Sequence, residues 1–109
     1  MKVHNYHQVE GRNEAPGVVL RVVAGPDEGA ANFVMRVLEV QPRSSTPYHS
    51  HNWEHEVFIL SGQGVVKTPD GETQVGREDV VFIPPNEQHC FTNTGGELLS
   101  FICVIPLVN

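Results

Sequence analysis

A chain of 109 residues, 39% of them apolar, can close one core and leaves little room for a second module, so a single domain over 1–109 is expected. Its 13 acidic residues against 7 basic ones give a formal net charge of -6, which disfavours nucleic acid or an anionic membrane as partner and leaves a small molecule as the expected ligand. There is no apolar stretch near the roughly 20 residues that span a bilayer, and no basic start leading into an apolar run and a cleavage site, so a cytoplasmic location is expected.

Taken in order, the chain opens on a polar segment in which His4 and His7 read as solvated side chains. Val18 to Val23 is a β-branched run stopped by Ala24-Gly25-Pro26-Asp27, and Asn32 to Val40 follows with Phe33, Met35 and Val37 on one face. Gln41 to Pro47 is a polar connection with two prolines. Tyr48 to His51 resumes an extended chain, and Glu56 to Leu60 is a short apolar strand ended by Ser61-Gly62-Gln63-Gly64. Val65 to Thr68 and Glu72 to Val75 flank Pro69-Asp70-Gly71, a hairpin signature. Val80 to Ile83 stops at Pro84-Pro85, His89 to Asn93 is the next strand, and Glu97 to Ile105 is long and apolar enough to lie centrally in a sheet. No window sustains apolar residues at helical spacing, so these short strands predict an all-β antiparallel sandwich or barrel.

One stretch stands apart. His49-Ser50-His51-Asn52-Trp53-Glu54-His55-Glu56 places three imidazoles, two carboxylates and an indole in eight residues, a density that asks for a metal. On an extended chain His49, His51 and His55 share a face, while Glu54 and Glu56 share the other. His89 lies far downstream, after a proline-rich turn, and a barrel can return it to the same point. Three histidines facing an apolar interior would otherwise be polar groups without partners. Glu54 and Glu56 are either acceptors for ligand imidazoles, and the acidic candidates for a general base, or solvated carboxylates. Cys90 and Cys103 are expected as thiols, because a lone disulfide does not suit a cytoplasmic chain. Cys90 has opposite parity to His89 and should point away from the metal, whereas Phe91 and Asn93 share its parity and face inward. Trp53 reads as packing, and Phe33, Met35, Ile59, Phe101 and Cys103 as core or pocket lining.

These residues resemble the two motifs of the cupin superfamily, small β-barrels of the jelly-roll type. In the first motif, HxHxxxE followed by six residues and a glycine, His49, His51 and Gly62 match, and His55 occupies the glutamate position. In the second, G, five residues, PxG, two residues, H, three residues, N, the matches are Pro84, His89 and Asn93, while Glu78 and Asn86 stand at the two glycine positions. Asp79 also fits. The segment HSHNWEHE is similar to the HxHxWEHE of small bacterial cupins with four histidine ligands. The resemblance implies a divalent transition metal (Mn, Fe, Ni or Zn) on His49, His51, His55 and His89, with Glu56 as rival to His55, and a homodimer. Four neutral imidazoles would leave the ion its full charge, making it a strong Lewis acid toward a water or an enolate.

The activity the resemblance implies first is dioxygenase-type oxidation of a diketone, flavonol or catechol-like molecule. A non-enzymatic metal-dependent binding or sensing module is the alternative. Sugar isomerases and epimerases of the same superfamily form a third class, set back by their retained glutamate ligand or their metal-free chemistry.

Overall fold

The computed structural model describes residues 1–107, and nine strands dominate it. They are β1 (Arg12–Ala15), β2 (Val18–Ala24), β3 (Phe33–Val40), β4 (His55–Ser61), β5 (Gln63–Thr68), β6 (Gly71–Gly76), β7 (Val80–Ile83), β8 (Cys90–Asn93) and β9 (Leu99–Pro106). Three-residue 3-10 turns at Tyr6–Gln8 and Pro26–Glu28 are the helical content among the described residues. A six-stranded antiparallel sheet of order β1-β2-β3-β9-β4-β7 faces a three-stranded sheet of order β6-β5-β8. This is the expected all-β jelly-roll arrangement, with the apolar β9 central as anticipated.

The core lies between the sheets. Phe101 of β9 and Phe91 of β8 meet across it with ring centroids 4.5 Å apart, packed with Leu20, Leu38, Val57, Ile59, Val66 and Leu99. Burying one such phenylalanine contributes about 1.5–3 kcal/mol.

Two expectations need correction, and one strand was not anticipated. Phe33 and Met35 are not core: they are 68% and 40% exposed. The inward set of β3 is Val34, Arg36, Leu38 and Val40; because β3 carries apolar residues on both faces, alternation did not reveal which faced in. Arg12–Ala15 is a strand that its polar sequence concealed, an edge paired with β2. Tyr48 to His51 is not a regular strand. Its chain runs beside β8 through Thr46 N–H to the Phe91 carbonyl (2.9 Å) and an isolated pairing of His49 with His89. Pro47 supplies no N–H between them, so the ladder is interrupted.

The two motif positions that lack glycine keep its backbone. Glu78 has φ 71° and Asn86 φ 69°, a left-handed conformation that asparagine tolerates and glutamate does not favour. At Gly62, with φ 88°, a side chain would also run into the Leu98 carbonyl and Leu99 Cα. Asn93 is pinned: its amide donates to the carbonyls of Val40 (2.8 Å) and Glu97 (2.7 Å) and accepts from Gly95 N–H (2.9 Å). Glu78→Gly is therefore expected to raise stability by about 0.5–1 kcal/mol, strain relief exceeding the added chain entropy. A urea midpoint that stays put or falls would contradict this.

Candidate functional site

The four histidines named above come together at one end of the barrel. His49 and His89 are joined by reciprocal backbone bonds, His49 N–H to the His89 carbonyl (3.2 Å) and His89 N–H to the His49 carbonyl (3.0 Å). Their rings lie 5.1 Å apart. His55, the first residue of β4, brings its ring to 4.9 Å from His89 and 5.1 Å from His51. His51 completes the group at 4.3 Å from His49 and 6.1 Å from His89. Trp53 stacks flat on His51 at 4.6 Å and 8°, so the indole packs, and what it packs is the site. Asn86 N–H donates to the His51 carbonyl, which ties the second motif to the first.

His55 and Glu56 part company clearly. His55 is 4% exposed, whereas Glu56 points outward between Phe82 and Val104, which pair with it on the neighbouring strands. The expected parity holds within β4, but the chain bends at Asn52 and Trp53, so His51 and His55 are not on one continuous strand. Glu54 is also exposed, and neither glutamate hydrogen-bonds an imidazole. The ring partners are others. His89 Nδ1 donates to the Glu87 carbonyl at 2.9 Å, and His55 Nδ1 lies 3.2 Å from Cys103 Sγ.

The rings open into a cavity of about 250 Å³ lined further by Leu20, Leu38, Phe91, Phe101, Thr46 and Arg36. Cys103 is on its wall, and Cys90 is buried elsewhere, as a free thiol. Arg12 and Glu14, paired at 2.9 Å, stand at the rim. Arg36, Glu14 and Thr46 were missed from sequence. Arg36 had a signal: it is the one cation in an otherwise apolar half of β3. It has no carboxylate partner among the described residues, and its Nη2 donates to Cys103 Sγ at 3.0 Å.

Burial disfavours protonation of His49, His51 and His55. His49 and His51 titrate below the ordinary value of 6.5, first through burial and then through neighbouring histidines and Arg36. His55 is pushed down to about 3 by burial, with His89 and Arg36 adding to it. Burial pushes the Cys103 thiol up, against the pull of Arg36. Unfolded, His55 takes its proton near 6.5; folded, it refuses until about 3. Unfolding thus takes up a proton in that window, and the metal-free protein is expected to lose stability as pH falls through it, by up to about 1.4 kcal/mol per pH unit. Urea midpoints between about pH 7 and pH 5 should drop in the wild type and flatten in His55→Gln; a flat wild-type profile would contradict this.

Among the described residues no helix is long and apolar enough to cross a membrane. Comparison with known proteins is informative over most of the chain. The "Oxalate-binding protein" of Thermotoga maritima is 35% identical over 72 residues, 65% of this chain and 60% of that protein, so the match spans less than two thirds of the relative's length. The polyketide cyclase RemF from Streptomyces resistomycificus is 33% identical with a TM-score of 0.89, covering 97% of this chain and 79% of that one. A sugar phosphate isomerase from Silicibacter pomeroyi has a TM-score of 0.87 at 16% identity, over 98% of this chain and 76% of that one, and speaks for the fold alone. The family described as "Cupin domain" matches residues 36–105, and with the barrel, the two motifs and these relatives the chain belongs to the cupins.

Proposed function

We propose that the barrel holds a divalent transition metal (Mn, Fe, Ni or Zn) on His49, His51, His55 and His89, and acts on a small molecule bearing enolisable carbonyl oxygens. One observation carries this reading: His55 Nε2 is buried with no hydrogen-bond partner, in the midst of three other imidazoles. An unpaired buried nitrogen costs on the order of 1–3 kcal/mol, and a metal offsets that cost. Among the described residues no three His, Cys, Asp or Glu side chains are yet spaced to hold an ion. His49 and His51 are only partly buried and their rings make no hydrogen bond, while Trp53 supports one face of His51. The donor set fits: all four candidates are imidazoles, and burial disfavours the protonated form of His49, His51 and His55.

When bound, such an ion supplies Lewis acidity to a carbonyl oxygen. The chain does the rest. Leu20, Leu38, Phe91 and Phe101 exclude water from one side of the cavity and receive an apolar or aromatic body. Arg36, without a carboxylate partner, holds an anionic oxygen. Glu14 at the rim is the carboxylate that takes a proton from carbon. The name of the cyclase relative, whose likeness runs over nearly the whole chain, supports carbonyl chemistry. Dioxygenase-type oxidation, expected from the sequence, remains a second reading because the same diketone-like body would serve it. The relative named for oxalate binding supports the binding-only alternative. The buried free thiols of Cys90 and Cys103 suit a reducing compartment such as the cytoplasm.

Elemental analysis of chelator-free preparations should find about one metal per chain, kept in Glu56→Ala and lost in His55→Ala; the reverse would overturn the ligand set. Metal-loaded protein should accelerate α-proton exchange of a β-diketone by at least about 100-fold over the metal-free protein, and Glu14→Gln should remove most of that gain. Oxygen uptake by iron-loaded protein would instead select the dioxygenase reading, and tight binding with neither would select the binding module.

We also propose a homodimer through the outer face of the larger sheet. Phe33, Met35, Phe58, Val80 and Phe82 are exposed there, in rows set by the pairings of Met35 with Val104 and of Phe58 with Ile102 and Val80. Sedimentation should show twice the 12.1 kDa chain mass and the single-chain mass for Phe82→Asp; a monomeric wild type would contradict it.

A further inference from the structure

The ring of His55 is gripped by a side chain that no motif names. Cys103 on β9 lies opposite Val57 of β4, two residues from His55, and beside Arg36 of β3 in the same sheet. Its sulfur is 3.2 Å from His55 Nδ1 and 3.0 Å from Arg36 Nη2. We propose that Cys103 is the positioning residue for His55: its sulfur accepts the Nδ1 proton and leaves the Nε2 lone pair aimed at the other three imidazoles.

The direction of the bond follows from its neighbours. Arg36 has only protons to offer, so the sulfur already acts as an acceptor toward β3. A guanidinium on one side favours electron density on the sulfur, which strengthens it as acceptor for the second donor. The opposite arrangement, a thiol proton given to Nδ1, would leave an N–H on Nε2 buried without an acceptor, since Nε2 has no partner. His89 shows the same design in another form. Its Nδ1 donates to the Glu87 carbonyl at 2.9 Å, which also leaves Nε2 free. Of the two deeply buried imidazoles, one is oriented by backbone and the other by Cys103, itself 3% exposed. Arg36 keeps the sulfur in place and links this contact to the cavity wall.

The inference rests on the ligand set proposed above, yet it can be tested without a metal. Long-range ¹⁵N–¹H NMR of the metal-free wild type should show His55 protonated on Nδ1, and Cys103→Ala should shift it toward the Nε2-protonated form or a mixture. Zinc affinity, read by competition with a chromophoric chelator, should fall about 10–100-fold in Cys103→Ala and recover to within a few-fold of wild type in Cys103→Ser, which restores an acceptor. Circular dichroism identifies an unfolded variant, in which case the wild-type tautomer alone decides. An Nε2-protonated His55 in the wild type, or Cys103→Ala with unchanged tautomer and zinc affinity, overturns the proposal. A wild type that binds no zinc but carries the Nδ1 proton leaves Cys103 as the orienting group and removes the metal reading instead.

Discussion

Two backbone hydrogen bonds between His49 and His89 hold this site in being. They join residues 40 apart in sequence, and they do so where the ladder beside β8 has been interrupted by Pro47. That closure, together with the bond from Asn86 N–H to the His51 carbonyl, keeps the first motif beside the second beyond Thr46. With it, the bend at Asn52 and Trp53 delivers His55 to the start of β4, facing the same space from the opposite sheet. The cavity lies where the two sheets part, so its floor is core and its rim is polar.

Electrostatics in that space run against protonation. Burial lowers the proton affinity of His49, His51 and His55, and the guanidinium of Arg36 acts in the same direction. A set of imidazoles kept neutral in a partly apolar cavity is suited to a cation as ligand and unsuited to a proton relay. Arg36 is the counterpart. It cannot lose its charge, it lines the cavity, and it pairs with no carboxylate among the described residues.

Much of this was legible in the sequence, for identifiable reasons. Turn residues at close intervals gave eight of the nine strands to within about two residues, and β-branched runs flanked by Gly and Pro marked their ends. The spacing of His49, His51, His55 and Gly62 separated His55 from Glu56 because parity survives within β4. The same parity argument reached His51 for a weaker reason, since a bend intervenes. What stayed hidden depends on contacts between distant strands. Cys103 reads as one more apolar position on β9, and only register places its sulfur against His55 and Arg36. Phe33 and Met35 look like core because β3 is apolar on both sides. Arg12–Ala15 is a polar edge whose strand character comes from β2 alone. Glu54 and Glu56 drew attention by proximity in sequence, but the partners of the rings are a thiol and a backbone carbonyl, which composition does not single out.

In the proposed site four imidazoles, and no sulfur or carboxylate, surround one ion. X-ray absorption at the zinc edge of the loaded protein reads that shell directly. The expected result is nitrogen scatterers at about 2.0–2.1 Å with the outer-shell pattern of three to four imidazole rings and no sulfur at about 2.3 Å. A sulfur shell would make Cys103 a ligand in place of an orienting acceptor, and a shell with fewer than three imidazoles would contradict the site as a whole.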